Sequence, residues 1–97
     1  MENISYLVRI SGKVQGVCFR DWTQSQATQR HISGWVRNKR DGSVEAMISG
    51  SPIHIQEMLN AFKSGPQAAQ VASVDAKPCD PPHEAGFRRL RGSFAGR

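Results

Sequence analysis

Ten consecutive residues carry most of the chemistry legible in this chain: Ser11-Gly12-Lys13-Val14-Gln15-Gly16-Val17-Cys18-Phe19-Arg20. An alternating segment precedes them and a polar, helix-like pattern follows. The stretch therefore reads as strand, glycine-bearing loop and helix start. Free backbone N–H groups in such a loop and in the first helical turn point outward together and make a site for an anion. Gly12 and Gly16 allow the backbone angles a cradle needs, and neither presents a Cβ to an approaching ligand. Arg20 falls at or near the first turn, where the helix dipole disfavours a cation. Asp21 offsets part of that cost, and a bound anion would offset it better. A planar guanidinium also fits two oxygens of a phosphate at once. The stretch is no Walker loop, since only three residues separate its glycines and no Gly-Lys-Ser/Thr follows, and it lacks Gly-x-Gly-x-x-Gly. The bland alternative, of about equal weight on local pattern alone, is a tight turn with a solvated arginine.

Other chemistry is harder to assemble. Cys18 lies in a cationic loop near a helix start, a setting that favours a nucleophilic thiolate. A cysteine phosphatase, however, needs its cradle after the thiolate, and here most of the cradle comes before it. No Cys-His or Ser-His-Asp set is recognisable. His31, His54 and His83 are scattered and read as ordinary surface or capping residues, and no metal cluster can be built. Asp21, Asp41 and Glu45 read as a dipole partner, a turn residue and a solvated strand residue. What remains is the cradle, Arg20 and the amide of Asn38, which can hold a water but cannot act as a base. That set suffices for hydrolysis only if the leaving group departs easily. A carboxylate leaves phosphorus readily, whereas an alkoxide needs protonation or a metal. The missing acid–base machinery points to a mixed anhydride of carboxylic and phosphoric acids.

The elements that must position these groups follow in order. Residues 4–11 alternate as a strand, with Ile4, Tyr6, Val8 and Ile10 on one face. Residues 12–18 form the loop, and 19–31 a helix with a narrow stripe of Phe19, Trp22 and Ala27. Strands over 34–39 and 43–49 flank the hairpin signal Asp41-Gly42, with Val44, Ala46 and Ile48 sharing a face. Ser51 and Pro52 suit the N-cap and first position of a second helix. Its face is Ile55, Met58, Leu59 and Phe62, and Gly65-Pro66 stops it. Burial of that stripe predicts a cost of roughly 2–5 kcal/mol for Leu59→Ala. A fourth strand over 71–77 presents Ala72, Val74 and Ala76 on one face, and a short fifth runs from Phe87 to Leu90. The order is βαββαβ: an α+β, split βαβ fold with two helices on one face of an antiparallel sheet. One domain over 1–90 and a loose tail over 91–97 are expected.

Bulk properties bound the reading. The 97 residues allow one modest domain, and 38% hydrophobic residues is lean but globular. No apolar run approaches the roughly 20 residues that span a bilayer. Without a secretory signal, and with Cys18 and Cys79 too few for a framework, a reduced cytoplasmic protein is the expectation, although a single Cys18–Cys79 bridge stays open. The net charge of +5, concentrated in Arg37, Lys39 and Arg40 and in Arg88, Arg89, Arg91 and Arg97, suits phosphorylated or carboxylated ligands and also fits nucleic acid.

The segment Gly12 to Arg20 resembles the signature loop of the acylphosphatases, Gly-x-Val-Gln-Gly-Val-x-Phe-Arg. Gly34-Trp35-Val36-Arg37-Asn38, with Asp41-Gly42 and Val44-Glu45, is similar to that family's second signature. Ser64-Gly65-Pro66 with Ala69 and Val71, and then Gly86-Phe87, match its later pattern, so the resemblance covers about residues 4–90. It implies a ferredoxin-like α/β sandwich and hydrolysis of small acyl phosphates without metal or cofactor, with inorganic phosphate or sulfate as a product-like ligand. By position, Arg20 would bind the phosphoryl group, Asn38 would orient the water, and the backbone of Gln15, Gly16, Val17, Cys18 and Phe19 would complete the cradle. Cys18 falls at a variable position of the motif, and Arg88-Arg89-Leu90-Arg91 departs from the commoner endings. A monomer with no membrane partner is expected. The alternative from another class is a non-catalytic phosphate- or nucleic-acid-binding module. RNA recognition is disfavoured because the strand Ser43–Ser49 carries no stacking aromatics.

Overall fold

The computed structural model describes residues 2–91. Seven elements follow in order: β1 (Ile4–Lys13), α1 (Phe19–Gln29), β2 (Ser33–Asn38), β3 (Val44–Gly50), α2 (Pro52–Ser64), β4 (Gln70–Pro78) and β5 (Phe87–Arg89). The strands form one sheet in the order β4-β1-β3-β2-β5. The first four pair antiparallel, as their pattern predicts. The short β5 pairs parallel to β2, so the whole sheet is mixed rather than antiparallel. The cause is connectivity. β4 and β5 lie at opposite edges, and the residues between them cross the sheet, where Pro81, Pro82 and His83 line a hollow with Trp35 and Met47.

Period-2 alternation puts Val8 and Ile10, Val36, and Val44, Ala46 and Ile48 on the helix side, all fully buried. Both helices close over them on that face. Phe62 of α2 lies nearly parallel to Phe19 of α1, with ring centroids 6.2 Å apart and planes at 8°. Trp22 tilts against both rings. Helix α2 begins as predicted: Ser51 Oγ accepts from the His54 N–H, and Pro52 starts the first turn. Helix α1 ends two residues earlier than its pattern suggests, because His31 adopts a left-handed φ of 56°.

Three readings need correction. Strand β1 runs on to Lys13, so Gly12 belongs to the sheet and not to the cradle. Its φ is 120°, and a Cβ there would stand 2.3 Å from the Gln70 carbonyl oxygen, so β4 presses against it. The pairing slips at that point, from Ser11 with Ser73 to Gly12 with Val71, which leaves Ala72 as an extra residue in β4. The bulge takes Ala72 out of the alternation, so Val71 and Val74 pack on the core and Ala72 is exposed; Ala76, opposite Val8, keeps the face of Val74 but is exposed on the edge strand. Leu59 is only half-buried, whereas Ile55, Met58 and Phe62 are buried. The expected tail begins with the exposed Arg91, and residues 92–97 lie outside the described residues. Among those described, no helix is long and apolar enough to cross a membrane.

The burial difference between Phe62 and Leu59 sets a stability test. Phe62→Ala is expected to cost about 3–5 kcal/mol. Leu59→Ala should cost clearly less, at the low end of about 2 kcal/mol or under, because part of the side chain already meets water. Urea unfolding of the two variants checks the order.

Candidate active site

Three chain segments converge at one end of the sheet: the loop between β1 and α1, the C-terminal end of β2, and the end of β5. A pocket of about 340 Å³ opens between them, lined by Val14, Gly16, Cys18, Phe19, Arg20, Asp21, Asn38 and Arg89. Of the residues expected at the site, Gly16, Cys18, Phe19, Arg20 and Asn38 line it directly. Gln15 and Val17 belong to the same loop but are not in the lining.

The loop has the backbone of an anion nest. Gly16 is left-handed at φ 74° and Cys18 at φ 61°, with Val17 between them not so. Alternation of hand turns successive N–H groups toward one concavity. Among the described residues, the N–H groups of Gly16, Val17, Cys18 and Phe19 donate to no backbone carbonyl. Helix α1 starts directly after, and Cys18 at its N-cap makes no side-chain capping bond. The Cys18 carbonyl accepts from the Trp22 N–H at 3.0 Å, so the helix is closed while its first amides stay available. At Gly16 an added Cβ would meet nothing within 4 Å, so its requirement is conformational and not steric. Cys18 adopts the same region with a side chain, a strain of roughly 1–2 kcal/mol that the surrounding contacts must offset.

Gln15 has a role that the motif did not reveal. Its Nε2 donates to the carbonyls of Lys39 at 2.7 Å and Ser43 at 2.8 Å. The side chain thus ties the nest to the β2–β3 turn, immediately beyond Asn38. That turn is itself fixed. Lys39 N–H donates to Ser43 O at 2.8 Å, and Asp41 Oδ1 accepts from the Ser43 N–H and hydroxyl. The Ser43 hydroxyl and amide hold the Asp41 carboxyl below its usual range. Its contribution to the turn is therefore complete above the ordinary carboxyl pKa of 3.8 and is lost as pH falls through the lower folded value.

Arg20 is held by one bond. Its Nη1 donates to the carbonyl of Leu90, just past β5, at 2.8 Å. Leu90 is fixed in turn, since its N–H donates to Val36 O at 2.8 Å. The other guanidinium N–H groups have no protein partner among the described residues and remain able to donate. Two further links join α1 to β5: Gln24 Nε2 donates to Phe87 O at 3.1 Å, and Arg89 pairs with Asp21. Sequence pattern placed Asp21 as a dipole partner only, and Arg89 outside the site.

Asn38 presents the clearest sign of an unmet need. Its Oδ1 is buried and accepts no hydrogen bond among the described residues. Leaving such an acceptor unpaired costs about 1–3 kcal/mol, and Asn38 is also one of the residues that line the pocket.

The basic stretch around residue 37 is less free than its sequence suggests. Arg37 pairs with Glu45 at 2.7 Å and lies 5.2 Å from the Trp35 ring centre, so Glu45 is a partnered residue and not a solvated one. Cys18 and Cys79 are both free thiols, the first exposed and the second half-buried. Among the described residues, no three His, Cys, Asp or Glu side chains are grouped to hold a metal ion.

With this geometry in place, comparison with known proteins is informative. A family model described as Acylphosphatase matches residues 6–89. The acylphosphatase of Rhizobium meliloti (strain 1021) is 51% identical over 89 residues, which cover 89% of this chain and 92% of that protein. A solved acylphosphatase structure from Coxiella burnetii matches with a TM-score of 0.88 at 30% identity, covering 92% of this chain and 94% of that one. The crystal structure of the Bacillus subtilis acylphosphatase matches at 0.85 and 30% identity, covering 90% and 98%.

The two bonds of Gln15 make a test of the nest's support. Gln15→Ala removes both donors, while each carbonyl keeps one backbone partner. A stability loss of about 1–2 kcal/mol is expected. Phosphate affinity, followed by calorimetry, should fall as well, because the loop loses its tie to the turn.

Proposed function

The chain belongs to the acylphosphatase family, and from that premise we propose how its residues divide the work of hydrolysing an acyl phosphate. It is a hydrolase of acid anhydrides that cleaves a carboxyl–phosphate bond to a carboxylate and inorganic phosphate. Residues 1–90 form the catalytic unit in this reading. Arg20 binds the phosphoryl oxygens, and the amides of Gln15, Gly16, Val17, Cys18 and Phe19 form the cradle beneath them. Asn38 holds the attacking water.

The observation that carries this assignment is the meeting of three groups at one pocket: the nest amides, the guanidinium of Arg20 with N–H groups to spare, and Asn38, whose buried Oδ1 has no partner among the described residues. Donors in a nest and a guanidinium stabilise charge on the three equatorial oxygens of a phosphoryl group in flight. They are preorganised by backbone strain at Cys18 and by the Leu90 carbonyl, so little reorganisation is needed as the charge develops. A water that donates one hydrogen to Asn38 Oδ1 keeps a lone pair for phosphorus. Its other hydrogen lies toward a phosphoryl oxygen, which takes the proton.

The step then balances. The water oxygen bonds to phosphorus, and the bond from phosphorus to the acyl oxygen breaks, with its electron pair leaving on the carboxylate. An acyl phosphate dianion and one water give a carboxylate and dihydrogen phosphate. No group need protonate the leaving carboxylate, because it is already a weak base at neutral pH. In this reading the reaction needs no metal, and no histidine takes part.

Hydrolysis of benzoyl phosphate in excess chelator is the direct test. Phosphate release should persist there, and activity that vanishes and returns only with a metal would overturn the metal-free step. Arg20→Ala is expected to lower kcat/KM by about 10²–10³-fold, the loss that follows removal of one strong oxyanion donor. Asn38→Ala should lower kcat while the affinity for inorganic phosphate, measured by calorimetry, changes little. Loss of phosphate binding in that variant would contradict its assignment to water.

A further inference from the structure

Arg89 lines the pocket, yet the steps above leave it without a task. Its position is odd for a strand. In β5, Phe87 turns inward to the core, and alternation brings residue 89 back to the same side. Position 89 is nevertheless exposed, and the chain has an arginine there, beside the first turn of α1.

Resting on the assignment of the phosphoryl site to Arg20 and the nest, we propose that Arg89 determines specificity by binding a second negative charge on the acyl part of the substrate. The enzyme would then favour acyl phosphates whose acyl chain ends in a carboxylate. With the phosphoryl group in the nest and water on Asn38, the acyl chain must lie along the rest of the wall. Val14 and Phe19 offer it little, being 0% and 2% exposed. The remaining groups are Asp21 and Arg89. Their side chains are 60% and 45% exposed, so solvent screens the pair and binds Arg89 to Asp21 only weakly. A guanidinium has five N–H groups in a fixed fork, which meets a substrate carboxylate with two parallel bonds. Asp21 acts in the opposite sense, competing for the fork and repelling the incoming charge. Its carboxylate is fixed on α1, whereas the substrate's is delivered into the pocket by the bound phosphoryl group, which raises its effective concentration there.

The test compares kcat/KM for succinyl phosphate and butyryl phosphate, which have four-carbon acyl chains and differ in the terminal carboxylate. The unsubstituted protein should favour succinyl phosphate by about tenfold at low salt, the size expected of one charge-assisted contact. That ratio should shrink as salt is raised. Arg89→Gln should bring the ratio close to one, Arg89→Lys should retain part of it, and Asp21→Asn should raise it. Equal kcat/KM on the two substrates in the unsubstituted protein would overturn the role of Arg89 while leaving the phosphoryl site intact. A preference that survives Arg89→Gln would do the same. Failure to hydrolyse either substrate would overturn both.

Discussion

A cation at the N-terminus of a helix is held against the helix dipole, and the site depends on how Arg20 is kept there. The bond from its Nη1 to the Leu90 carbonyl does the holding. That carbonyl stands still because Leu90 is itself bonded to Val36 O, on the strand that ends in Asn38. The parallel register of β2 and β5, with Gly34 opposite Phe87 and Val36 opposite Arg89, therefore sets how far the arginine stands from the Asn38 amide. A three-residue strand at a sheet edge would be marginal alone. Here it is laced to α1 at three points, through Arg20, Asp21 and Gln24. Arg20, which lines the pocket, thus also helps to fasten the last strand.

The nest is under a second constraint, of backbone and not of charge. Left-handed residues at 16 and 18 turn the amides inward, and the chain accepts the strain at Cys18 because both ends of the loop are anchored. Buried Val14 anchors one end and the Phe19–Phe62–Trp22 aromatic cluster the other. Gln15 anchors the middle, on the turn after Asn38. Core packing and site geometry are not separate here. Phe19 is at once a core residue and the first residue of the helix that borders the pocket.

Much of this was legible in the residues. Alternation in Ile4–Ile10 and Val44–Ile48, the Ser51-Pro52 start and the Gly65 stop are local signals, and each governs its element. Arg20 and Asn38 stood out because their chemistry fits a nest without acid–base partners, and both line the same pocket. What escaped notice depends on partners far along the chain. Gly12 reads as loop until β4 presses on it, and Ala72 cannot be placed from alternation because the bulge in β4 falls there. Glu45 reads as solvated until Arg37, its neighbour across the hairpin, takes it. Leu59 fits the helical stripe by spacing, but the stripe is wider than the surface the sheet offers. Gln15 was expected to give only its backbone. Its side chain matters because the β2–β3 turn presents two carbonyls to it.

The same non-locality orders assembly. The loop that forms the nest is complete by residue 20, but the group that steadies Arg20 arrives 70 residues later. An unfolded or partly folded chain has the nest sequence without its fixed guanidinium, so the pocket is a property of the closed sheet alone. Closing a loop that long has an entropic cost that grows only slowly with length. It is met chiefly by burying Phe87 and by the ladder with β2, and less by the exposed pair of Asp21 and Arg89. The exposed pair can therefore be substituted without much effect on the fold, whereas the Leu90 carbonyl, a backbone atom held by the bond of Leu90 to Val36, cannot.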